Sequence, residues 1–318
     1  MKGKFIMLNS LAGRCIFHAV VLNLLLTPVA GAQQDPGKDS HVSGSPWSMT
    51  LRGGYAHQFD ADLDRAGSFT VSSLFVQGGP VYRPDHNRSI SFSVGYGYDD
   101  YDFSGYGNSR ATPWQEIHSL GFSSPVRLGY GERWTFIAVP AVRFTAEKTS
   151  DWDDGMTGGG FAGFSYRFSD RLTVGSGIGL FSQLEDDAAV FPVLTILWKM
   201  TDRLSLETGS GQGASQGPGL TMNWNLTGQW NLFLGGSYEK ERFRLAGDGP
   251  SPGGIGEDSS FPLYAGATYS FTEKIRAEIV GGVKISGELR QEDPQGNLVS
   301  QDDYDPAPFL GLTFRGRF

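Results

Sequence analysis

Cysteine is all but missing from this chain: among 318 residues the single one is Cys15. It sits in a segment with its own signature. Lys2, Lys4 and Arg14 precede an uncharged, mostly apolar run over 15–26, and the small residues Ala30-Gly31-Ala32 follow. A basic start, an apolar middle and a small-residue end mark a cleavable secretory signal, so residues 1–32 are expected to be removed after Ala32. Arg14 directly before Cys15 argues against a lipid-modified cysteine, since a small residue is expected there. The processed chain would have no thiol, which excludes disulfides, thiolate nucleophiles and cysteine-bound metal.

Long apolar runs are the second absence. The run over 15–26 is shorter than the roughly 20 residues a membrane-spanning helix needs, and no later stretch approaches one. Basic charge is also scarce, with 26 Lys and Arg against 34 Asp and Glu. Loss of the signal segment would deepen the formal net charge of −8 by a further three. Nucleic acid is therefore excluded as an expected partner.

What the chain has instead is alternation. Residues 33–46 are a polar, Pro- and Gly-containing leader without periodicity. From Trp47 to Phe318, apolar and polar residues alternate in fourteen segments, centred on 47–58, 67–82, 88–99, 114–128, 134–147, 157–168, 171–184, 188–200, 203–211, 218–227, 230–245, 260–271, 274–289 and 307–318. Five short polar turns recur between them: Gly131-Glu132-Arg133, Ser169-Asp170-Arg171, Thr201-Asp202-Arg203, Thr227-Gly228-Gln229 and Thr272-Glu273-Lys274; Pro84-Asp85-His86-Asn87 makes a sixth. Period-two alternation on both sides of a tight turn specifies a β-hairpin. The other connections are long, near 59–66, 100–113, 148–156, 185–187, 212–217, 246–259 and 290–306. Strict alternation of short and long connections predicts an all-β, closed antiparallel up-and-down transmembrane β-barrel over 47–318, of about fourteen strands with twelve or sixteen as neighbouring counts. The 45 glycines and mean hydropathy of −0.25 fit a wall in which only alternate residues face lipid.

Strand faces follow from the period. In 274–289, Ile275, Ala277, Ile279, Gly281, Val283, Ile285 and Leu289 share the lipid face, and Arg276, Glu278, Lys284, Ser286 and Glu288 the inner one. Extending this along the chain places Arg52, Arg143, Glu147, Arg167, Glu207, Arg276, Glu278, Lys284, Glu288 and Arg315 on the inner wall. Ile137, Val139, Phe191, Val193 and Phe233 also point inward. Tyr82, Tyr130, Trp134, Tyr166, Phe168, Trp198, Trp230, Tyr269, Phe271 and Phe314 collect beside the short turns, where an aromatic girdle at one membrane boundary is expected.

At the end of the chain Leu310, Leu312, Phe314 and Phe318 share a face with Gly316. This resembles the C-terminal insertion signal of Gram-negative outer-membrane proteins, although Gly316 stands where a bulky residue is usual. The chain from 47 to 318 looks like one of the uncharacterised, porin-like outer-membrane β-barrel families. The resemblance implies location in the outer membrane, recognition by the barrel-assembly machinery, and a surround of outer-membrane lipid and lipopolysaccharide. It supplies no substrate.

Catalytic and metal chemistry find little footing. His118 and Ser119 are adjacent in a strand and so point to opposite faces. His41 lies in the leader and His86 in a short turn; His57 lies near the acidic run Asp60, Asp62 and Asp64. That run starts like an EF-hand loop, yet Arg65 replaces the required Gly and Val71 the closing Glu. The other acidic groups, Asp99, Asp100 and Asp102; Asp151, Asp153 and Asp154; Glu185, Asp186 and Asp187; Asp302, Asp303 and Asp305, read as solvated loops. No enzyme, cofactor or metal is expected. The first functional expectation is a passive channel or uptake pore for a small-molecule solute; the second is a structural or adhesive barrel using its acidic loops; the third is an outer-membrane lipid hydrolase, which needs a Ser or Asp meeting His57 or His118 on one face.

Overall fold

The computed structural model describes residues 45–105, 112–210 and 218–318. The expected signal segment 1–32, most of the leader 33–46, and parts of two long connections fall outside them. Among the described residues there are eighteen strands: β1 Trp47–Asp62, β2 Ser68–Tyr82, β3 Arg88–Ser91, β4 Ser93–Ser104, β5 Glu116–Ser123, β6 Val126–Tyr130, β7 Trp134–Glu147, β8 Met156–Ser169, β9 Leu172–Gln183, β10 Asp186–Lys199, β11 Leu204–Ser210, β12 Pro218–Asn225, β13 Trp230–Ser237, β14 Glu239–Arg244, β15 Ile255–Ser270, β16 Ile275–Glu292, β17 Leu298–Tyr304 and β18 Ala307–Arg317. Four crossings of the wall are broken in two, namely β3/β4, β5/β6, β13/β14 and β17/β18. Pro125 and Pro306 sit in two of the breaks, where a residue without an N–H interrupts the ladder. The result is fourteen crossings, each antiparallel to the next, and β1 pairs with β18 to close the ring.

The chain is thus an all-β, closed fourteen-stranded antiparallel barrel. Its short turns share a local device. The hydroxyls of Thr201, Thr227 and Thr272 each accept backbone N–H groups two and three residues on, from Arg203 and Leu204, Gln229 and Trp230, and Lys274 and Ile275. Side-chain oxygens that bond their own backbone in this way fix a tight reversal. Above the turns, Leu310, Leu312 and Phe314 are exposed while Gly311 and Thr313 between them are buried. The aromatic residues near the turns pair across strands, Trp47 with Tyr82, Trp134 with Tyr166 and Trp230 with Tyr269, each at 4.8 Å between ring centroids.

At the opposite end the strands run further than hydrophobic alternation predicts. Residues 255–259 and 298–304, expected in loops, extend β15 and form β17, so the connection between β16 and β17 shrinks to 293–297. These extensions are rich in charge on both faces; backbone pairing persists where the apolar period has ended. A second departure lies in β16. Ser286 has φ +52°, and three steps on β16, from Ile285 to Glu288, face two on β15, from Phe261 to Ser259. This bulge flips the faces beyond it. Leu289, expected outward, is buried in the interior cluster; Glu288, expected inward, turns to the other face and accepts a hydrogen bond from Gln301 at 2.7 Å.

Candidate functional site

The run Glu239-Lys240-Glu241-Arg242-Phe243-Arg244 cannot lie against lipid on either face. After Tyr238 it leaves β12 accordingly. β14 keeps β15 on one side, but its far end meets β7 in parallel, with Arg244 opposite Ala146. The strands from β8 to β12 are bypassed at this level, and the remaining crossings form a narrower ring. Its interior is packed by Phe69, Tyr101, Trp114, Ile117, Phe243, Leu289 and Tyr304 with smaller neighbours. Trp114 stands edge-on to Tyr101 at 5.7 Å and to Phe243 at 5.0 Å. The long-loop mouth of this ring is therefore plugged by side chains.

The two faces of β14 have different tasks. Phe243 enters the plug, and Glu241 on the same face pairs with Arg143. On the other face Arg242 bonds Glu257 at 2.6 Å, Glu292 at 2.8 Å and the carbonyl of Leu184 at 2.9 Å. Arg244 bonds Glu185 at 2.7 Å and the carbonyl of Asp154 at 2.9 Å, while Lys240 also reaches Glu257 at 2.8 Å. These contacts tie the inturned strand to the β9–β10 connection and to β15 and β16.

Below the plug lies an open cavity lined by Phe75, Tyr101, Asp99, Glu239, Glu241, Asp258 and Lys284 among others. Asp258 accepts from the hydroxyls of Tyr101 and Tyr304, both at 3.0 Å, and Lys284 stands 3.8 Å from Glu239. Two apolar patches lie on the inner wall, the first of which gives Phe75 to the cavity. Phe75, Ala141, Phe181 and Phe191 form one; Phe233, Tyr264, Val280 and Phe309 form the other.

The sequence candidates distribute over these levels. Arg143 and Lys284 stand by the cavity, each beside a carboxylate. Glu147 lies at the plugged end, where its carboxylate accepts the backbone N–H groups of Gln115 and Ala246, at 3.0 and 2.9 Å. Glu207 accepts from Asn223 at 2.7 Å, and Glu278 from Thr268 at 3.3 Å. Arg52 lies over the ring of Phe75, 5.2 Å from its centroid, and is directly opposite Arg315, which is opposite Arg276. Arg167 lies towards the short turns on β8 and pairs with Thr173.

The histidine condition is met in one part. His57 Nδ1 lies 3.1 Å from the Ser72 hydroxyl, on the outward face. The other neighbour of its ring is Phe59, edge-on at 5.0 Å, so no carboxylate orients it among the contacts of the described residues. His57 and Ser72 are opposite each other in a continuous ladder, a poor place for spare backbone donors to an oxyanion. His118 bonds the Tyr96 hydroxyl at 2.7 Å, and Ser119 is buried on the opposite face.

Alternation alone misses the Arg242 network and the Tyr101–Asp258–Tyr304 group. One signal was available: six residues with five charges inside a strand-like segment demand polar partners on both faces, hence departure from the wall.

No protein-family model matches the sequence, and no curated protein matches it. Solved structures do. A FadL homologue from Pseudomonas aeruginosa superimposes with a TM-score of 0.51 at 12% identity, covering 94% of this chain and 99% of that one. The deltaS2 mutant of the TodX monoaromatic hydrocarbon channel gives 0.53 at 10% identity, over 94% and 97% of the two chains. An outer membrane channel from Pseudomonas putida F1 gives 0.50 at 11% identity, over 90% and 100%. At such identities the likeness establishes the fold: a β-barrel of the kind seen in outer-membrane channels.

Proposed function

We propose that the protein is a passive outer-membrane channel for small apolar molecules, working without cofactor or energy input. The observation that carries this reading is the inner wall itself. Porins that pass hydrophilic solutes keep a polar, water-filled interior, whereas here two aromatic patches flank the lumen and a packed plug closes one mouth. An apolar solute gains from such a wall about 25 cal/mol for each Å² it removes from water. The structural neighbours include a channel described as one for monoaromatic hydrocarbons, which supports the same class of solute.

The plug and the Arg242 network also favour a second reading, a structural barrel with no through path. Uptake of a radiolabelled monoaromatic hydrocarbon by cells with and without the protein separates the two. The channel reading expects faster uptake with the protein and its loss in Phe191→Asp, which puts a carboxylate in the apolar patch. Equal uptake in all three strains supports the structural reading. Entry of sugars instead would make it a hydrophilic pore.

A further inference from the structure

The inward swing of β14 brings distant parts of the wall to the cavity below the plug. Asp99 on β4 and Ser119 on β5 line it together with Glu239 and Glu241 on β14, Asp258 on β15 and Lys284 on β16. Two of these carboxylates have cations of their own: Glu241 is paired with Arg143, and Glu239 stands 3.8 Å from Lys284. Asp99 and Asp258 form no ion pair among the described residues. The groups that bond them are hydroxyls, Ser73 for Asp99 and Tyr101 and Tyr304 for Asp258. Lys284 lies in attractive reach of both aspartates, but Glu241 lies in repulsive reach of both. Two carboxylates without a cation beside them, in a place largely removed from water, need a positive partner.

A second observation points to a ligand. Ser119 is 2% exposed, and what surface it keeps lies on the cavity. Its hydroxyl makes no hydrogen bond to a described residue, so a polar group within the wall is left facing open space, on the same face of the β4–β5 pair as Asp99. A buried polar group without a partner calls for an explanation. Beside this polar surface the cavity has an apolar one, because Phe75 of the first aromatic patch also lines it. Among the described residues no three acidic or histidine side chains are arranged to hold a metal ion. A cation whose charge is carried on an apolar body suits the cavity better than a bare ion.

We propose that the cavity binds a small organic ammonium, its charged group among Asp99, Asp258 and Ser119 and its apolar body against Phe75. An ammonium group presents three N–H donors and no acceptor, which matches two carboxylates and a hydroxyl oxygen. The inference rests on the channel reading and narrows it, naming a class of solute that uses both the apolar wall and the acidic cavity.

Three probes of similar shape and different charge test it: 2-phenylethylammonium, 2-phenylethanol and 3-phenylpropanoate. The full chain in uncharged detergent is unfolded thermally over a concentration series of each at neutral pH, with sodium chloride holding the ionic strength fixed. The ammonium probe should raise the midpoint along a saturating curve, because a ligand bound only by the folded state stabilises it. In Asp99→Asn and Asp258→Asn its half-saturating concentration should rise about tenfold for each lost charge-assisted contact, while the response to 2-phenylethanol stays that of the parent. Asp99 bonds neither tyrosine of the plug, so its variant decides the matter even if the Asp258 variant fails to fold. Asp170→Asn, in an exposed short turn, should follow the parent curve. The site is overturned if no probe gives a saturating rise, if the alcohol or the carboxylate binds as tightly as the ammonium, or if the two cavity variants bind it like the parent. Such a result with hydrocarbon uptake intact strikes the ammonium site alone, whereas ammonium binding without any uptake strikes the channel reading.

Discussion

Ile279 and Val280 are neighbours with opposite surroundings, and they show how much single residues reveal. Ile279 is 52% exposed on the outer face, midway between Ile275 and Val283, whereas Val280 is 1% exposed against Phe233, Tyr264 and Phe309. Strict alternation placed Ile279 on the lipid face, and Val280, one residue on, takes the other face. An arginine at 279 must hold its charge in hydrocarbon, and Ile279→Arg should lower stability by about 2–4 kcal/mol in urea titrations of the lipid-embedded barrel, with Ile279→Leu near neutral. Outside the wall, Asp293 holds the β16–β17 turn. The side chain of Asn297, then its backbone N–H, keep this carboxyl below the ordinary carboxylate range. The contribution is full above the unfolded aspartate value and is lost as pH falls through the lowered folded value. Amide exchange at Asn297 should therefore stay protected through the ordinary titration range of aspartate and quicken at lower pH, whereas Asp293→Asn should remove that pH dependence.

Whole elements were legible wherever one face meets lipid, because a slip of one residue would bury charge in the membrane. All six short turns and the fourteen crossings follow from that constraint. Legibility failed where it lapsed: at the Ser286 bulge, which exchanged Glu288 and Leu289, and in β14, whose partners are scattered over β7, β15, β16 and the β9–β10 connection. Phe69, Tyr101, Trp114 and Phe243 meet only because β14 turns inward, and nothing local to any of the four announces it. Arg242 is the pin of that element. Arg242→Met should cost about 3 kcal/mol, since it leaves Glu257 and Glu292 with fewer partners in a largely buried place. Glu292→Gln in the same chain should recover part of the loss, and a simple sum of the two single losses would show that they act independently.

For the molecule as a whole, the arrangement of the six turns at one end sets an orientation in the membrane. Outer-membrane barrels keep short turns in the periplasm, so a cysteine introduced at Asp170 should resist an impermeant thiol reagent on intact cells, while one at Gly253 should react. The reverse pattern would invert the barrel. With the short turns in the periplasm, the plug faces the outside. The number of crossings, their order and the closure of the ring were readable at this scale; the plug was not, because it depends on contacts between distant parts of the chain. That dependence also sets the order of assembly. The parallel meeting of Arg244 with Ala146 joins strands with five other crossings of the wall between them on one side of the ring and seven on the other. Contacts so distant in sequence form slowly, because the intervening chain must first be ordered. Hairpins can zip one after another, but the aromatic plug gathers only when β14 swings across. The last kinetic phase of refolding should therefore be read by the fluorescence of Trp114, after the girdle tryptophans have already settled.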